Sequence, residues 1–301
     1  MTVIWAIEGQ SFMQLTAMLP YMTQDAIPEL EINEIRHSEM IMQVFERVER
    51  IQAQIDVLHT EAPESRLGTD HKQLSSFPVA GYVHTQTSVA AGCIAALKQM
   101  IVRETDDTAT MTASPFGAYA LIRNSIDAAA VGLWIAEPES STGRIKRRLQ
   151  AQVDETKNAA AFRQSTGQTT SNEWRDRKRM RLSEVAGLAI PGDWDLFSSR
   201  NKMPSMTEIL KSLERHHQDP LMPWLSAWQL SSGHAHAKVW AALASHELSV
   251  IEGAQSEVGL YRMSIKYGIL AALLLEAMKL LEVTARRYAE LATSPDSERQ
   301  P

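Results

Sequence analysis

Apolar residues recur every three or four positions along almost the whole chain, and this spacing restricts the folds open to it. The segment 29–59 is the clearest case, because its opposite side carries charged and amide residues, as in an amphipathic helix packed on a core. No run of alternating β-branched residues bounded by turns is visible, so we expect no sheet. The chain is therefore predicted to be an all-α protein, a bundle of about seven or eight helices. The apolar stripe of segment 29–59 consists of Ile41, Val44, Phe45, Val48, Ile51, Ile55 and Leu58.

The 301 residues divide into three predicted regions. Residues 1–28 are expected to form an N-terminal arm or a short helix, 29–292 the helical bundle, and 293–301 a polar, flexible tail. The N-terminus lacks a basic stretch ahead of an apolar one, as a secretory signal would require. The longest apolar run, Tyr267 to Leu275, is shorter than the roughly 18 residues of a membrane span. We therefore expect a cytoplasmic protein with no membrane partner.

The cysteine count restricts the chemistry of any site. Cys93 is the single cysteine, so an internal disulfide and a cysteine-rich zinc site are both excluded. No phosphate-binding glycine loop and no zinc-binding His-Glu-x-x-His motif occurs. Neither a metal nor a cofactor is predicted.

Basic residues concentrate in one part of the chain. Residues 144–181 carry eleven basic and four acidic side chains, although the net charge of the chain is −6. Such asymmetry indicates a surface for an anionic partner, or alternatively a solvated helix face of mixed charge. The candidate nucleic-acid-binding residues are Arg144, Lys146, Arg147, Arg148, Arg175, Arg177, Lys178 and Arg179.

The helix predicted over 118–135 is apolar on nearly every side, which is typical of a buried helix. It nevertheless carries Arg123 and Asp127, four residues apart and hence on one face. A buried charge without a partner is costly, so each must be paired. Because the cation precedes the anion, the weaker order for an intrahelical pair, we expect at least one to reach another helix. A structural ion pair and a charge positioned in an internal site both stay open.

The stretch "LSSGHAHAKVW", residues 230–240, places two histidines within a helix predicted over 222–248. Histidines two residues apart on a helix point in different directions, so they cannot share a metal ion. His236 falls in the core stripe with Trp228 and Ser232, whereas His234 points away. His236 is interpreted either as a buried, hydrogen-bonded histidine or as part of a polar pocket. The candidate catalytic residues are His236, Arg123 and Asp127, and the candidate ligand-binding residues are Ser232, His84 and Arg123.

The segments "YALIRNSIDAAAVGLWIAEP", "RIKRRL", "MPSMTEIL" and "WQLSSGHAHAKVW" together resemble a group of uncharacterised bacterial all-helical proteins. These share, in order, an early histidine, an Arg-x-x-x-acid helix ending in Trp, a basic helix and a Ser-x-x-x-His helix. The resemblance covers roughly residues 79–243 and implies a helical bundle, with no activity to carry over. The matching positions are His84, Arg123, Asp127, Trp134, Ser232 and His236.

A looser similarity is to HEPN helical domains, several of which are metal-independent ribonucleases of toxin and antiphage systems. Arg123 and Asn124 match the arginine and the polar residue of the HEPN motif, but alanines occupy positions 128–130, where the histidine is expected. The literal Arg-x4-His spacing occurs at Arg66 to His71, with Leu67 in place of the polar residue. The similarity implies a ribonuclease as an alternative function.

Two hypotheses follow. The favoured one is a non-catalytic helical protein whose Arg/Asp/Ser/His cluster is architectural or binds a small anionic ligand. The other is a nuclease-like enzyme in which His236 and Arg123 act on a phosphate while the basic helices hold nucleic acid. The expected partner is a small anion or a nucleic acid, and a homo-oligomer stays open.

Overall fold

The computed structural model describes residues 4–8, 34–57, 61–104, 109–113, 117–168, 172–217, 222–250 and 258–293. The ten described α-helices make this an all-α bundle, as predicted, with a few more helices than expected. They are α1 (Glu34–Val57), α2 (Arg66–Gln73), α3 (Val79–Ile101), α4 (Gly117–Ala136), α5 (Ser141–Ser165), α6 (Asn172–Ala189), α7 (Met206–Glu214), α8 (Trp224–Ala235), α9 (Val239–Ser245) and α10 (Tyr267–Ala292). A 3₁₀ turn covers Ser199–Asn201.

The described residues also include five strands, and here the expectation that no sheet forms is wrong. The strands are β1 (Ile4–Glu8), β2 (Val102–Glu104), β3 (Ala109–Met111), β4 (His246–Val250) and β5 (Val258–Ile265). The strands β1, β5 and β4 form one antiparallel sheet in that order, and β2 pairs with β3. Four of the five described strands are only three to five residues long, so the helical spacing on either side of them dominates the local pattern and their β-propensity gives little signal in the sequence.

The N-terminal region is described only in part. Residues 4–8 pair antiparallel with β5, placing Ile4 opposite Arg262 and Glu8 opposite Val258. The remainder of the predicted arm, like the predicted tail beyond residue 293, lies outside the described residues.

The chain divides into two compact units. Unit 1 comprises 1–50, 90–127 and 219–280, and unit 2 comprises 51–89, 128–218 and 281–301. Helix α1 forms where the apolar spacing predicts a helix, and its stripe from Ile41 to Ile55 is buried. Ser205 and Glu208 form the capping box that begins α7.

Unit 2 is held by an ion pair in its interior. Arg144 and Asp70 are both almost fully buried, and the guanidinium donates to the two carboxylate oxygens at 2.6 and 2.9 Å. Arg144 also donates to the carbonyl oxygens of Pro138 and Glu139 at 2.9 and 2.8 Å. The bidentate geometry and the two extra acceptors satisfy a charge that would otherwise be costly to bury.

Arginines also cap the carboxyl end of α4. Arg147 donates to the carbonyl of Trp134, and Arg287 donates to the carbonyl of Ala136 at 3.1 Å. The last carbonyls of a helix have no partner within the helix and carry the negative end of its dipole. Cations at this position therefore supply both the hydrogen bond and the complementary charge.

None of the described helices combines the length and the apolar character that crossing a bilayer would demand.

Candidate functional site

Six side chains on α4 and α8, all in unit 1, form what we call the polar seam. At one end Trp228 Nε1 donates to Asp127 Oδ1 at 2.6 Å, and at the other end Tyr119 stacks on His234 with ring centroids 3.9 Å apart. These contacts pair a later residue of one helix with an earlier residue of the other, so α4 and α8 run antiparallel here. The polar seam comprises Tyr119, Arg123 and Asp127 on α4, and Trp228, Ser231 and His234 on α8.

The ion pair of the polar seam is partly open to solvent. Arg123 Nη2 lies 3.4 Å from Asp127 Oδ2, and both side chains are 27% exposed. The guanidinium also lies 6.0 Å from the centre of the Trp228 ring. Burial raises the pKa of Asp127, whereas the positive charge of Arg123 and the hydrogen bond from Trp228 lower it. As expected from the order of the two charges, Asp127 reaches across to another helix.

Arg123 and Ser231 occupy the middle of the polar seam. Arg123 is one turn from both Tyr119 and Asp127, and Ser231 is three residues from both Trp228 and His234. Arg123 Nε and Ser231 Oγ are buried, and neither has a hydrogen-bond partner in the part of the chain that the structure describes. The centre of the polar seam thus offers a donor and a hydroxyl, although Ser231 is shielded from solvent.

Beyond His234 the seam continues into a buried hydrogen-bonded cluster. His234 Nε2 lies 2.6 Å from Ser245 Oγ, which is 3.0 Å from His246 Nδ1. Ser245 donates its own proton to the carbonyl of Ala241 at 2.8 Å. A hydroxyl has one proton to give and the Ala241 carbonyl can only accept one, so the geometry favours the His234 tautomer that donates from Nε2 to Ser245. A catalytic serine requires the reverse, a histidine that accepts its proton, so this arrangement is structural.

The imidazole of His234 is held in its neutral form. Burial lowers its pKa to about 4, and the neighbouring His246 contributes to the same shift. Burial also raises the pKa of the Tyr119 hydroxyl. The stacked rings therefore carry no charge near pH 7.

A surface pocket of about 440 Å³, which we call the aromatic pocket, adjoins the seam along α8. Trp228 belongs to both features, and Trp240 is 44% exposed. A β-carbon at position 233 would lie only 2.7 Å from Trp240 Cζ2, so the glycine permits this indole to lie against α8. The lining residues are Trp228, Gln229, Ser232, Gly233, His236, Lys238 and Trp240.

The predicted site residues are divided among these features. Arg123 and Asp127 lie in the polar seam, while Ser232 and His236 line the aromatic pocket. The expectation that His236 lies in the core is wrong: it is exposed at the end of α8, and His234 takes the buried position. His84 belongs to unit 2, where its ring and that of Tyr288 pack edge to face with their centroids 5.9 Å apart.

The predicted nucleic-acid-binding residues fall into two groups. Three of those on α5 are engaged by other residues of unit 2. Arg144 pairs with Asp70, and Arg147 donates to the carbonyl of Trp134. The guanidinium of Arg148 lies 4.2 Å from the centre of the Tyr82 ring. Lys146 lies 5.6 Å from the Trp194 ring. Arg144 and Arg148 are thus too buried to face a nucleic acid. The cations on α6, namely Arg175, Arg177, Lys178 and Arg179, are exposed.

Sequence reasoning missed five residues of the site: Tyr119, Ser231, His234, Ser245 and His246. Tyr119 could have been predicted from the sequence, because it lies four residues before Arg123 and therefore on the same face of the helix. The others depend on where α8 ends. Within the described residues no group of His, Cys, Asp and Glu side chains is arranged to hold a metal ion.

Comparison of the chain with models of protein families, with curated proteins and with solved structures finds no match.

Proposed function

We propose that this chain is a non-catalytic binding protein for a small, planar, anionic molecule, which it holds in the aromatic pocket. The observation that carries the proposal is the chemistry of the lining, which within the described residues has two indole rings, one ammonium group and no carboxylate. Flat apolar walls with a few placed polar groups are typical of small-molecule sites. The polar seam, in this proposal, is architectural and positions one wall.

Both tryptophan walls are fixed by neighbouring groups. Trp228 is oriented by its hydrogen bond to Asp127, and Trp240 lies against the bare backbone at Gly233. A wall that is already in place loses little conformational entropy when a ligand binds. This pre-organisation supports a planar ligand between or against the indoles, since aromatic faces favour offset stacking.

The charges around the pocket favour an anion. Among the described residues of the lining, Lys238 is the only permanently charged side chain, and Ser232 and Gln229 supply uncharged donors. Asp127, the carboxylate of the polar seam, accepts a hydrogen bond from Trp228 and forms an ion pair with Arg123. Its negative charge is therefore already compensated, and Lys238 is left to pair with a ligand.

The seam and the pocket give little support to the ribonuclease alternative. Arg123 is engaged with Asp127 and the Trp228 ring, and the buried His234 donates to Ser245. A metal-independent ribonuclease needs an accessible histidine that can accept or donate a proton at the substrate. His236 is exposed, but it lines the pocket rather than the seam that contains Arg123.

The proposal is tested by calorimetric titration of the protein with two matched pairs of probes. Adenosine monophosphate and benzoate carry a negative charge, and adenosine and benzyl alcohol are their uncharged counterparts. We expect each charged probe to bind at least about tenfold more tightly than its counterpart, which is the effect of one charge-assisted contact. Equal affinities within each pair, or no binding of any probe, would refute the proposal.

Two lysine variants locate the site. Lys238→Gln should remove the advantage of the charged probes, because the pocket loses its ammonium group. Lys211→Gln, on an exposed position of α7, should leave all four affinities unchanged. A loss of affinity in both variants would instead indicate non-specific attraction to the surface and contradict a site at the pocket.

A further inference from the structure

Unit 2 contains two stretches in which every consecutive residue is exposed. Residues 175–181 of α6 are all exposed, as are residues 161–168 at the end of α5 and beyond it. Seven consecutive exposed residues make almost two full turns, so side chains on several sides of α6 reach solvent here, while the Arg179 guanidinium also lies 4.7 Å from the centre of the Phe197 ring. We call residues 157–168 and 174–181 the basic arm.

The basic arm is strongly positive. It carries seven cations and a single carboxylate, that of Asp176, in a chain whose net charge is −6. Successive residues of a helix are rotated by about 100°, so the cations of α6 point in several directions around its axis. They are Arg175, Arg177, Lys178, Arg179 and Arg181, and Lys157 and Arg163 accompany them on α5.

Aromatic and apolar side chains lie among these charges. Trp174 has the Arg163 guanidinium 5.1 Å from its ring centre and the Lys178 ammonium 5.8 Å from it, so one indole links the two helices. Phe162 and Met180 are 66% and 70% exposed. Folding therefore brings Arg163 of α5 and Lys178 of α6 to one indole, that of Trp174.

We infer that the basic arm binds the phosphate backbone of a nucleic acid. Charges spread over two helical turns extend for roughly 9 Å along the helix, too far to converge on one small anion. A nucleic acid presents phosphates at comparable intervals on a continuous backbone. An anionic membrane fits less well, because membrane-bound helices need one continuous apolar face and residues 175–181 carry a single apolar side chain, that of Met180.

This inference is independent of the proposed function, since the aromatic pocket lies in unit 1 and the basic arm in unit 2. The two fail separately. Loss of small-anion binding would leave the arm unaffected, and absence of nucleic-acid binding would leave the pocket unaffected.

The test measures binding of the full chain to a 20-nucleotide single-stranded RNA and to a 20-base-pair DNA duplex by fluorescence anisotropy at several salt concentrations. We expect affinity to fall steeply with salt for at least one of them, because bound phosphates release counterions. On duplex DNA the slope of log K against log salt changes by about 0.9 for each phosphate that the protein neutralises.

A triple variant, Arg177→Gln, Lys178→Gln and Arg181→Gln, removes three exposed cations of the arm. Glutamine keeps the helix propensity, so far-UV circular dichroism should be unchanged. We expect the affinity at low salt to fall at least about tenfold. The salt slope on duplex DNA should decrease by up to about 2.7, because three cations no longer neutralise phosphates.

The matched control removes the same charge elsewhere in unit 2, through Arg200→Gln, Lys211→Gln and Arg215→Gln, all exposed. It should bind nucleic acid as the unmodified chain does. The inference is overturned by salt-independent binding, by equal losses in both triple variants, or by the absence of nucleic-acid binding.

Discussion

At Gly233 there is no room for a β-carbon. A carbon built there would lie 2.7 Å from Ala241 Cβ and 2.7 Å from Trp240 Cζ2, so Gly233→Ala forces α9 and its indole away from α8. We expect a loss of about 1–3 kcal/mol in the free energy of unfolding, the usual cost of overpacking. The change should also lower the affinity of the aromatic pocket for any ligand that contacts Trp240. Urea denaturation measures the first effect.

Gly92 provides the matched control, because it lies on helix α3 with nothing within 4 Å of an added β-carbon. Gly92→Ala should raise the free energy of unfolding by up to about 1 kcal/mol, since alanine is the better helix former. Opposite signs at the two glycines are the expected result, and two gains would contradict the close packing at residue 233.

The buried pair of Arg144 and Asp70 allows a second prediction at the level of single residues. Arg144→Gln leaves a carboxylate in the interior of unit 2 without its bidentate partner. We expect the free energy of unfolding to fall by about 3–5 kcal/mol. Arg66→Gln removes an exposed arginine that pairs with the exposed Glu139, and should cost less than about 1 kcal/mol. Similar losses in both variants would show that burial does not set the cost.

At the level of elements, α8 shows what the sequence can reveal and what it cannot. A continuous helix over 222–248 would align Trp228, Ser232 and His236, the stripe that the spacing predicts. Instead α8 ends at Ala235, and Ala237 adopts a φ of 51° before α9 begins. Glycine or asparagine is expected in that conformation, so an alanine gives no warning of a helix end.

The end of α8 decides which residues enter the seam. Packing against α4 uses the three-residue spacing of Trp228, Ser231 and His234 rather than the four-residue spacing of the predicted stripe. Polar residues of α4 and α8 do meet, as the hydrogen bond between Asp127 and Trp228 shows. The buried histidine, however, is His234, two positions before the predicted His236. Fold class and helix positions follow from local spacing, whereas the face used by a short helix depends on tertiary contacts.

The cluster at the junction of α8 and α9 makes the stability of the protein pH-dependent. The pKa of His234 is about 4 in the folded chain and near 6.5 when unfolded. Above pH 6.5 the imidazole is neutral in both states; between pH 6.5 and 4 only the unfolded chain takes up the proton. The free energy of unfolding therefore falls as the pH decreases, by on the order of 3 kcal/mol in total.

Two histidine variants isolate this contribution. His234→Gln should flatten the decline in stability between pH 6.5 and 4, measured by denaturant titration at each pH. His236→Gln, at the exposed position two residues on, should leave the decline unchanged. The raised pKa of Asp127 acts in the opposite direction, because the folded chain then takes up the proton first. The effect of Asp127 is present in the unmodified chain and in both histidine variants. The difference between their pH profiles of stability therefore measures the contribution of His234.

At the scale of the whole molecule, the two units are built from shared helices. The ranges of both units include parts of α1, α3, α4 and α10; α3, for example, contributes 79–89 to unit 2 and 90–101 to unit 1. A helix that unfolds in one unit only must break its ladder of hydrogen bonds in the middle and leave backbone groups unpaired. Four such breaks oppose independent unfolding of either unit.

We therefore expect a single thermal transition in differential scanning calorimetry, with equal calorimetric and van't Hoff enthalpies. Gly233→Ala perturbs unit 1 and Arg144→Gln perturbs unit 2, yet each should lower the Tm of that one transition. Two resolved transitions, with each variant moving only one of them, would show that the helices can melt in halves.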